Sequence, residues 1–242
     1  MFEITTFRRS ILFFLFSICS LFIISAHITE NENESDEVKS KPTKPESRQL
    51  YEELSLSKEV NYTAFAQAYS GYKKLMVENP ILTLIDFSKP SSQKRMFVID
   101  LEKKEILFKT YVAHGKRSGD KYATSFSNKS GSKQSSLGFF LTEETYTGKN
   151  TGYSLRLKGL DKGINDNVRA RGVVVHGADY ANPDQIKSSG RLGRSFGCLV
   201  LPEDMNDTII DVIKEGSLVY AYSDKFNEYY LKRSSVLSSK KS

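Results

Sequence analysis

Cys198 is the only cysteine downstream of the apolar N-terminus, and its setting is built for chemistry. It closes the run Gly190-Arg191-Leu192-Gly193-Arg194-Ser195-Phe196-Gly197-Cys198 and leads into the apolar Leu199-Val200-Leu201-Pro202. A thiol nucleophile needs a base nearby in space, not in sequence. His176, 22 positions upstream, ends the apolar run Val173-Val174-Val175 and is followed by Gly177. A free thiol is only about 3% ionised at pH 7, and a neighbouring imidazole raises that fraction by forming a thiolate–imidazolium pair. Such a pair can attack a carbonyl carbon, hold the acyl group as a thioester and return the proton to a departing amine. The oxyanion needs donors, and the backbone N–H groups around Gly197 and Cys198 are the natural ones. Ser195 can orient the loop or bond to substrate. Arg191 and Arg194, beside the nucleophile, suit carboxylates. The competing reading of Cys198 is a buried, inert thiol. Against it stand the flanking glycines and the cost of an unpaired thiol in an oxidising compartment.

These residues need rigid elements to hold them. Short apolar runs at 81–86, 96–100, 106–112, 138–146, 153–160, 173–176 and 218–222 read as strands. The polar stretch 102–105 reads as a hairpin turn. Residues 115–136 form a long polar loop, of a length usually functional or mobile. The stretch 160–170 looks irregular. Residues 203–214 read as a helix with Met205, Ile209, Ile210 and Ile213 on one face, closed by Gly216. An amphipathic helix is expected over 61–78, capped by Asn61 and ended by Pro80, with Tyr62, Phe65, Tyr69, Tyr72 and Met76 at helical spacing. Its tyrosines are expected to pack on the strand-rich region. Many short strands with few helices predict a mainly β domain.

The ends of the chain carry other signals. Arg8 and Arg9 precede an apolar run from Ile11 to Ile24, and Ser25-Ala26 offers a small-residue cleavage site. Residues 1–26 are therefore expected to be a signal peptide or, if uncleaved, an N-terminal membrane anchor. Cys19 inside that run is most simply a small hydrophobe. Residues 27–49 read as a disordered linker, acidic from Glu30 to Glu37 and basic from Lys39 to Lys44. Residues 50–79 form an N-terminal helical segment, 80–224 the main domain, and 225–242 a polar C-terminal tail. The 242-residue chain is 39% hydrophobic and 12% aromatic, enough for a core. Its formal charge of +6 is spread along the chain, with no basic stripe of the kind a nucleic-acid surface shows.

Five segments now combine. His176-Gly177-Ala178-Asp179-Tyr180 and Gly190-Arg191-Leu192-Gly193-Arg194-Ser195-Phe196-Gly197-Cys198 resemble the paired motifs of the murein L,D-transpeptidase catalytic domain family, a branch of the YkuD-like L,D-transpeptidases. Val112-Ala113-His114-Gly115-Lys116, Ser135-Ser136-Leu137-Gly138-Phe139-Phe140 and the closing Gly216-Ser217-Leu218-Val219-Tyr220 resemble its other strands in the same order. The resemblance covers roughly residues 80–224. It implies an L,D-transpeptidase-like two-sheet β-sandwich with short helices and an N-terminal amphipathic helix.

It also implies peptidoglycan stem peptides as partners, no metal, no cofactor, and action in the periplasm or cell envelope of a bacterium. Cys198 is then the nucleophile and His176 the base and acid. The Gly177 carbonyl orients the ring, a task Asp179 could also serve. The alternatives stay open: a carboxypeptidase or endopeptidase of the same fold, or a non-catalytic wall-binding module. A metal site of Cys198, His176, His114 and Asp179 matches no compact zinc spacing. The departures are local. Phe196 replaces a common histidine, Leu199-Val200 follow the cysteine where an arginine is usual, and His114 stands where many relatives carry a small hydroxyl residue, either lining the cleft or packing.

Overall fold

The computed structural model describes residues 44–225. The signal-peptide reading, most of the linker and the C-terminal tail beyond Lys225 lie outside the described residues. Among these residues eight strands form: β1 (Ile81–Asp86), β2 (Met96–Asp100), β3 (Glu105–Thr110), β4 (Gly138–Gly148), β5 (Gly152–Gly159), β6 (Val174–Gly177), β7 (Leu199–Leu201) and β8 (Leu218–Tyr222). The helices are α1 (Glu46–Glu53), α2 (Tyr62–Leu75), α3 (Asp184–Ser189) and α4 (Glu203–Ile213). The mainly β expectation holds. The strands join one mixed ladder in the order β3-β2-β1-β8-β4-β5-β6-β7. Its parallel pairs are β1 with β8 and β6 with β7.

The central strands are buried on both faces, which is why β1 reads as a nearly continuous apolar run. Alternation then sorts the side chains. Ile81 and Ile85 of β1, Met96 and Val98 of β2, Leu155 and Leu157 of β5, and Leu199 and Leu201 of β7 share one core with Ile209, Ile210 and Ile213 of α4. Leu82, Leu84, Phe97, Ile99 and Tyr220 point the other way, into a second core covered by α1 and α2. In the β2–β3 hairpin, Asp100 Oδ1 accepts the N–H groups of Glu102 and Lys103 at 3.0 and 2.9 Å. This is the Asx-type turn its carboxylate favours.

The α2 helix starts as expected: the Asn61 side chain accepts the Thr63 N–H at 2.8 Å, satisfying one orphan donor of the first turn. Phe65 and Tyr69 are buried, and Tyr62 and Tyr72 pack against the same cluster. The helix stops earlier than the spacing suggested, at Leu75. Met76 takes a left-handed conformation (φ 49°) and is 83% exposed, so it is not part of the apolar stripe. The linker also ends sooner than expected. α1 begins at Glu46, and its Leu50 and Tyr51 are buried, with the Tyr51 hydroxyl donating to the Val60 carbonyl.

The chain leaving β3 does not stay at the sheet edge. The Ala113 N–H donates to the Val200 carbonyl at 2.8 Å, and the Val200 N–H returns to Ala113 at 3.3 Å. The Ser195 N–H reaches the His114 carbonyl at 2.9 Å, and the Lys116 N–H reaches Ser195 at 2.7 Å. The segment after β3 is thus bonded to the segment entering β7, closing the ladder in a barrel-like way. The long 115–136 loop that follows is held by its own serines. Ser118 Oγ accepts the Ser135 N–H at 2.9 Å, and Ser135 Oγ accepts the Gly115 N–H at 3.0 Å.

Candidate active site

Parallel pairing of β6 and β7 positions the two expected reactive residues. The register sets Val175 opposite Leu199 and His176 opposite Val200. Partners in a parallel ladder point to the same face, and so do residues two apart. Cys198 and His176 therefore share a face, displaced by two positions: roughly 6.6 Å along the strand and about 4.8 Å across. That face lies opposite the main core. There Cys198 packs with Tyr180 against Ala113, Ala181, Leu192 and Val200.

His176 is 6% exposed, and its Nδ1 lies 2.9 Å from the Gly177 carbonyl oxygen. A carbonyl only accepts, so Nδ1 carries the proton and Nε2 is left with a free lone pair, the form a base requires. The orienting group is thus the Gly177 carbonyl. Asp179 is exposed and accepts the N–H of Tyr180 at 2.6 Å. Gly177 must be glycine for packing reasons: a Cβ there would lie 2.8 Å from Asn206 Cβ, against α4.

Burial lowers the His176 pKa below its ordinary value, with the Gly177 carbonyl opposing. Burial likewise raises the Cys198 pKa, opposed by the backbone N–H groups of Val174 and Cys198 and by Arg171. The two shifts run the same way, toward a neutral thiol and a neutral imidazole. The thiolate–imidazolium pair expected from the residue types is thus disfavoured at rest. The thiol sits 3.7 Å from the Gly172 carbonyl, a partner for S–H and not for S⁻.

The turn before the nucleophile is tied by Ser195. Its Oγ donates to the Cys198 carbonyl at 2.8 Å and accepts the Gly197 N–H at 3.0 Å. The Gly197 N–H, expected among the oxyanion donors, is thereby committed inside the turn, and the Cys198 N–H remains. Gly197 itself takes φ 127°, and a Cβ would lie 2.9 Å from the Gln134 carbonyl oxygen.

The two arginines do not stand free. Arg191 Nε and Arg194 Nη1 both meet Asp120 Oδ1, at 2.8 and 3.1 Å. Arg194 also donates to the Gly119 carbonyl at 3.0 Å. Both guanidinium groups hold a carboxylate of the 115–136 loop. His114 is placed in the interior, fully buried, with Nδ1 2.8 Å from Arg95 Nη2. It packs and does not line a cleft. Burial first, and then the Arg95 charge, push its pKa down to about 3.

Two neighbours of the thiol had no signal in the residue pattern. Arg171 donates Nη1 to the Ser127 carbonyl at 2.7 Å and Nη2 to the Gln134 carbonyl at 2.6 Å, clamping the 127–136 segment beside Cys198. Tyr180 lies over Gly193, whose N–H donates to the Tyr180 carbonyl at 2.6 Å. Its phenol is pushed up to about 12 by burial and then by charge at Cys198, so it stays protonated near neutral pH. Tyr180 ends the His176-Gly177-Ala178-Asp179-Tyr180 run, but nothing in the spacing marks its contact. A cavity of about 510 Å³ lined by Tyr62, Gln67, Gly71, Phe139 and Tyr220 sits on the α2 side and contains none of these groups.

Residues 56–222 match the family described as L,D-transpeptidase catalytic domain. The chain belongs to this family. No curated protein matches it. Solved structures of L,D-transpeptidases are similar at low identity. One from Mycobacterium smegmatis shares 17% identity over 59% of this chain and 58% of that structure, with a TM-score of 0.38. L,D-transpeptidase 3 from Mycobacterium tuberculosis shares 12% over 59% and 61%, at 0.38. L,D-transpeptidase 1 from the same organism shares 15% over 59% and 61%, at 0.35. The chain thus spans about three-fifths of the length of these structures. The L,D-transpeptidase assignment rests on the domain match.

Proposed function

We propose that this L,D-transpeptidase family member is a cysteine-dependent acyltransferase acting on peptidoglycan stem peptides. One observation carries the reading: the parallel β6–β7 register sets His176, its Nδ1 on the Gly177 carbonyl, on the face of Cys198. In the proposed cycle Cys198 Sγ attacks the donor carbonyl as His176 Nε2 takes the thiol proton. The Cys198 N–H stabilises the oxyanion. The C–N bond to the terminal D-amino acid breaks, and its nitrogen leaves with the proton from His176. A thioester remains. An acceptor amine then attacks that carbonyl, gives a proton to His176 and restores the thiol through it. Water in place of the amine gives hydrolysis. Proton transfer during attack, not a preformed ion pair, agrees with the directions of both pKa shifts.

The N-terminal reading as an export signal places this activity, as part of the same proposal, in the periplasm or cell envelope of a bacterium.

Intact-mass measurement of the full-length chain with a disaccharide-tetrapeptide tests the reading. A covalent adduct that disappears in Cys198→Ala is expected, and product analysis then distinguishes a cross-linked dimer from a shortened peptide. Unchanged substrate and no adduct on folded protein would overturn it.

A further inference from the structure

Phe196 precedes the nucleophile by two residues and is 65% exposed, an unusual place for a large apolar ring. Two cations converge on it from separate parts of the 115–136 loop. Lys116 Nζ lies 4.3 Å from the ring centroid and Lys133 Nζ 5.1 Å. Among the described residues neither lysine forms an ion pair, whereas the adjacent Arg191 and Arg194 share the Asp120 carboxylate.

The backbone fixes this arrangement. The Lys116 N–H is bonded to the Ser195 carbonyl, one residue before the ring. Lys133 takes a left-handed conformation (φ 56°), and its carbonyl leaves no room for a Cβ on Gly115, where one would lie 2.6 Å away. Among the described residues these two ammonium groups beside an exposed ring have no acid as an ion-pair partner. The ring alone would hold each cation weakly in water.

We propose that Lys116, Lys133 and Phe196 form a carboxylate subsite at the lip of the nucleophile turn. It takes the free carboxylate of the acyl donor's terminal D-residue, with the ring against that residue's apolar part. This deepens the acyl-donor reading and rests on it. The site holds the donor's leaving end and takes no part in bond making.

The test separates binding from chemistry. Isothermal titration calorimetry on the full-length Cys198→Ala chain measures the affinity for a disaccharide-tetrapeptide and for its carboxamide. Adding Lys116→Gln with Lys133→Gln is expected to weaken the free-carboxylate peptide about fivefold, the scale of two screened ion pairs. The carboxamide should bind both proteins equally. Phe196→Ala should weaken both peptides, and Lys149→Gln, an exposed charge in the β4–β5 turn, should weaken neither. Circular dichroism checks the fold of each variant.

Equal affinity with and without the two lysines, an unaffected carboxamide in the parent, or no binding at all would overturn the subsite. Adduct formation on the unmodified chain is scored separately. Carboxylate-dependent binding without any adduct would leave the subsite standing and sink the transferase reading.

Discussion

Ser195 Oγ spans the nucleophile turn, donating to the Cys198 carbonyl at 2.8 Å and accepting the Gly197 N–H at 3.0 Å. One hydroxyl therefore sets the angle at which the Cys198 amide and thiol face a substrate. Ser195 is 2% exposed, so water cannot readily replace it. Ser195→Ala should cost about 1–3 kcal/mol in unfolding free energy from the unpaired groups. It should slow acylation more than it slows alkylation by iodoacetamide, which needs a thiol but no oriented carbonyl. Parallel stopped-flow and mass measurements check this. Equal slowing of both would show that Ser195 supports only the fold.

His176→Ala should reduce single-turnover acylation by about 10²–10⁴-fold, the usual worth of a positioned base. The pH profile follows from the shifts. Burial lowers the His176 pKa, so the neutral imidazole persists as pH falls through its ordinary value of about 6.5. The acid limb of acylation should therefore lie below that value. Burial raises the thiol, so iodoacetamide should react slowly at pH 7 and accelerate only above about 8.5. Fast alkylation at pH 6 would mean that the resting site is an ion pair.

His114 gives a stability signature. Its folded pKa, about 3, lies below the unfolded value, so in acid the unfolded chain binds the proton and the native chain does not. Its contribution is complete above about pH 6.5 and is lost on descent toward pH 3, at up to about 1.4 kcal/mol per pH unit. His114→Gln should flatten this part of the curve, whatever its effect on absolute stability. Urea unfolding at several pH values measures the slope, and an unchanged slope would mean that His114 is protonated in the native chain.

Gly197→Ala tests the backbone of the turn. The residue would have to hold φ 127° with its Cβ 2.9 Å from the Gln134 carbonyl oxygen. Backbone strain of this kind costs on the order of 1–3 kcal/mol, and the turn can relieve it only by moving Cys198. Acylation should fall at least about tenfold while the melting temperature drops by a few degrees. Retained acylation would show that the turn tolerates displacement.

How far residue types reveal such a site depends on which forces position it. Strands buried on both faces announce themselves as apolar runs, and the Asn61 cap and the α4 stripe follow from local rules. Cys198 and His176 stand out in the sequence because few residue types can serve as nucleophile and base. What stayed hidden was long-range and polar. α1 has only two buried apolar residues, Leu50 and Tyr51, both in its second half, so its first half, residues 46–49, read as linker. The 115–136 loop owes its order to serine-to-backbone bonds that leave no periodic trace. His114 became a core residue because Arg95, itself fully buried, turns its guanidinium to the Val112 carbonyl and the His114 ring. Burial opposes both charges of an ion pair between Cys198 and His176, an effect that residue types alone do not carry.

The place of β8 in the ladder has a consequence for when the enzyme comes into being. Residues 218–222, near the end of the described chain, lie between β1 and β4 and join the three strands on one side to the four on the other. Until they arrive, β1 has no second neighbour, and the segment after β3 cannot be held in a finished domain against the turn before Cys198. Contacts so distant in sequence form slowly, after most of the loop-closure entropy has been lost. Residues 218–222 must therefore be made before the thiol stands in a finished domain. A nascent chain that stops short of them carries Cys198 without the strand that joins the two halves of the ladder.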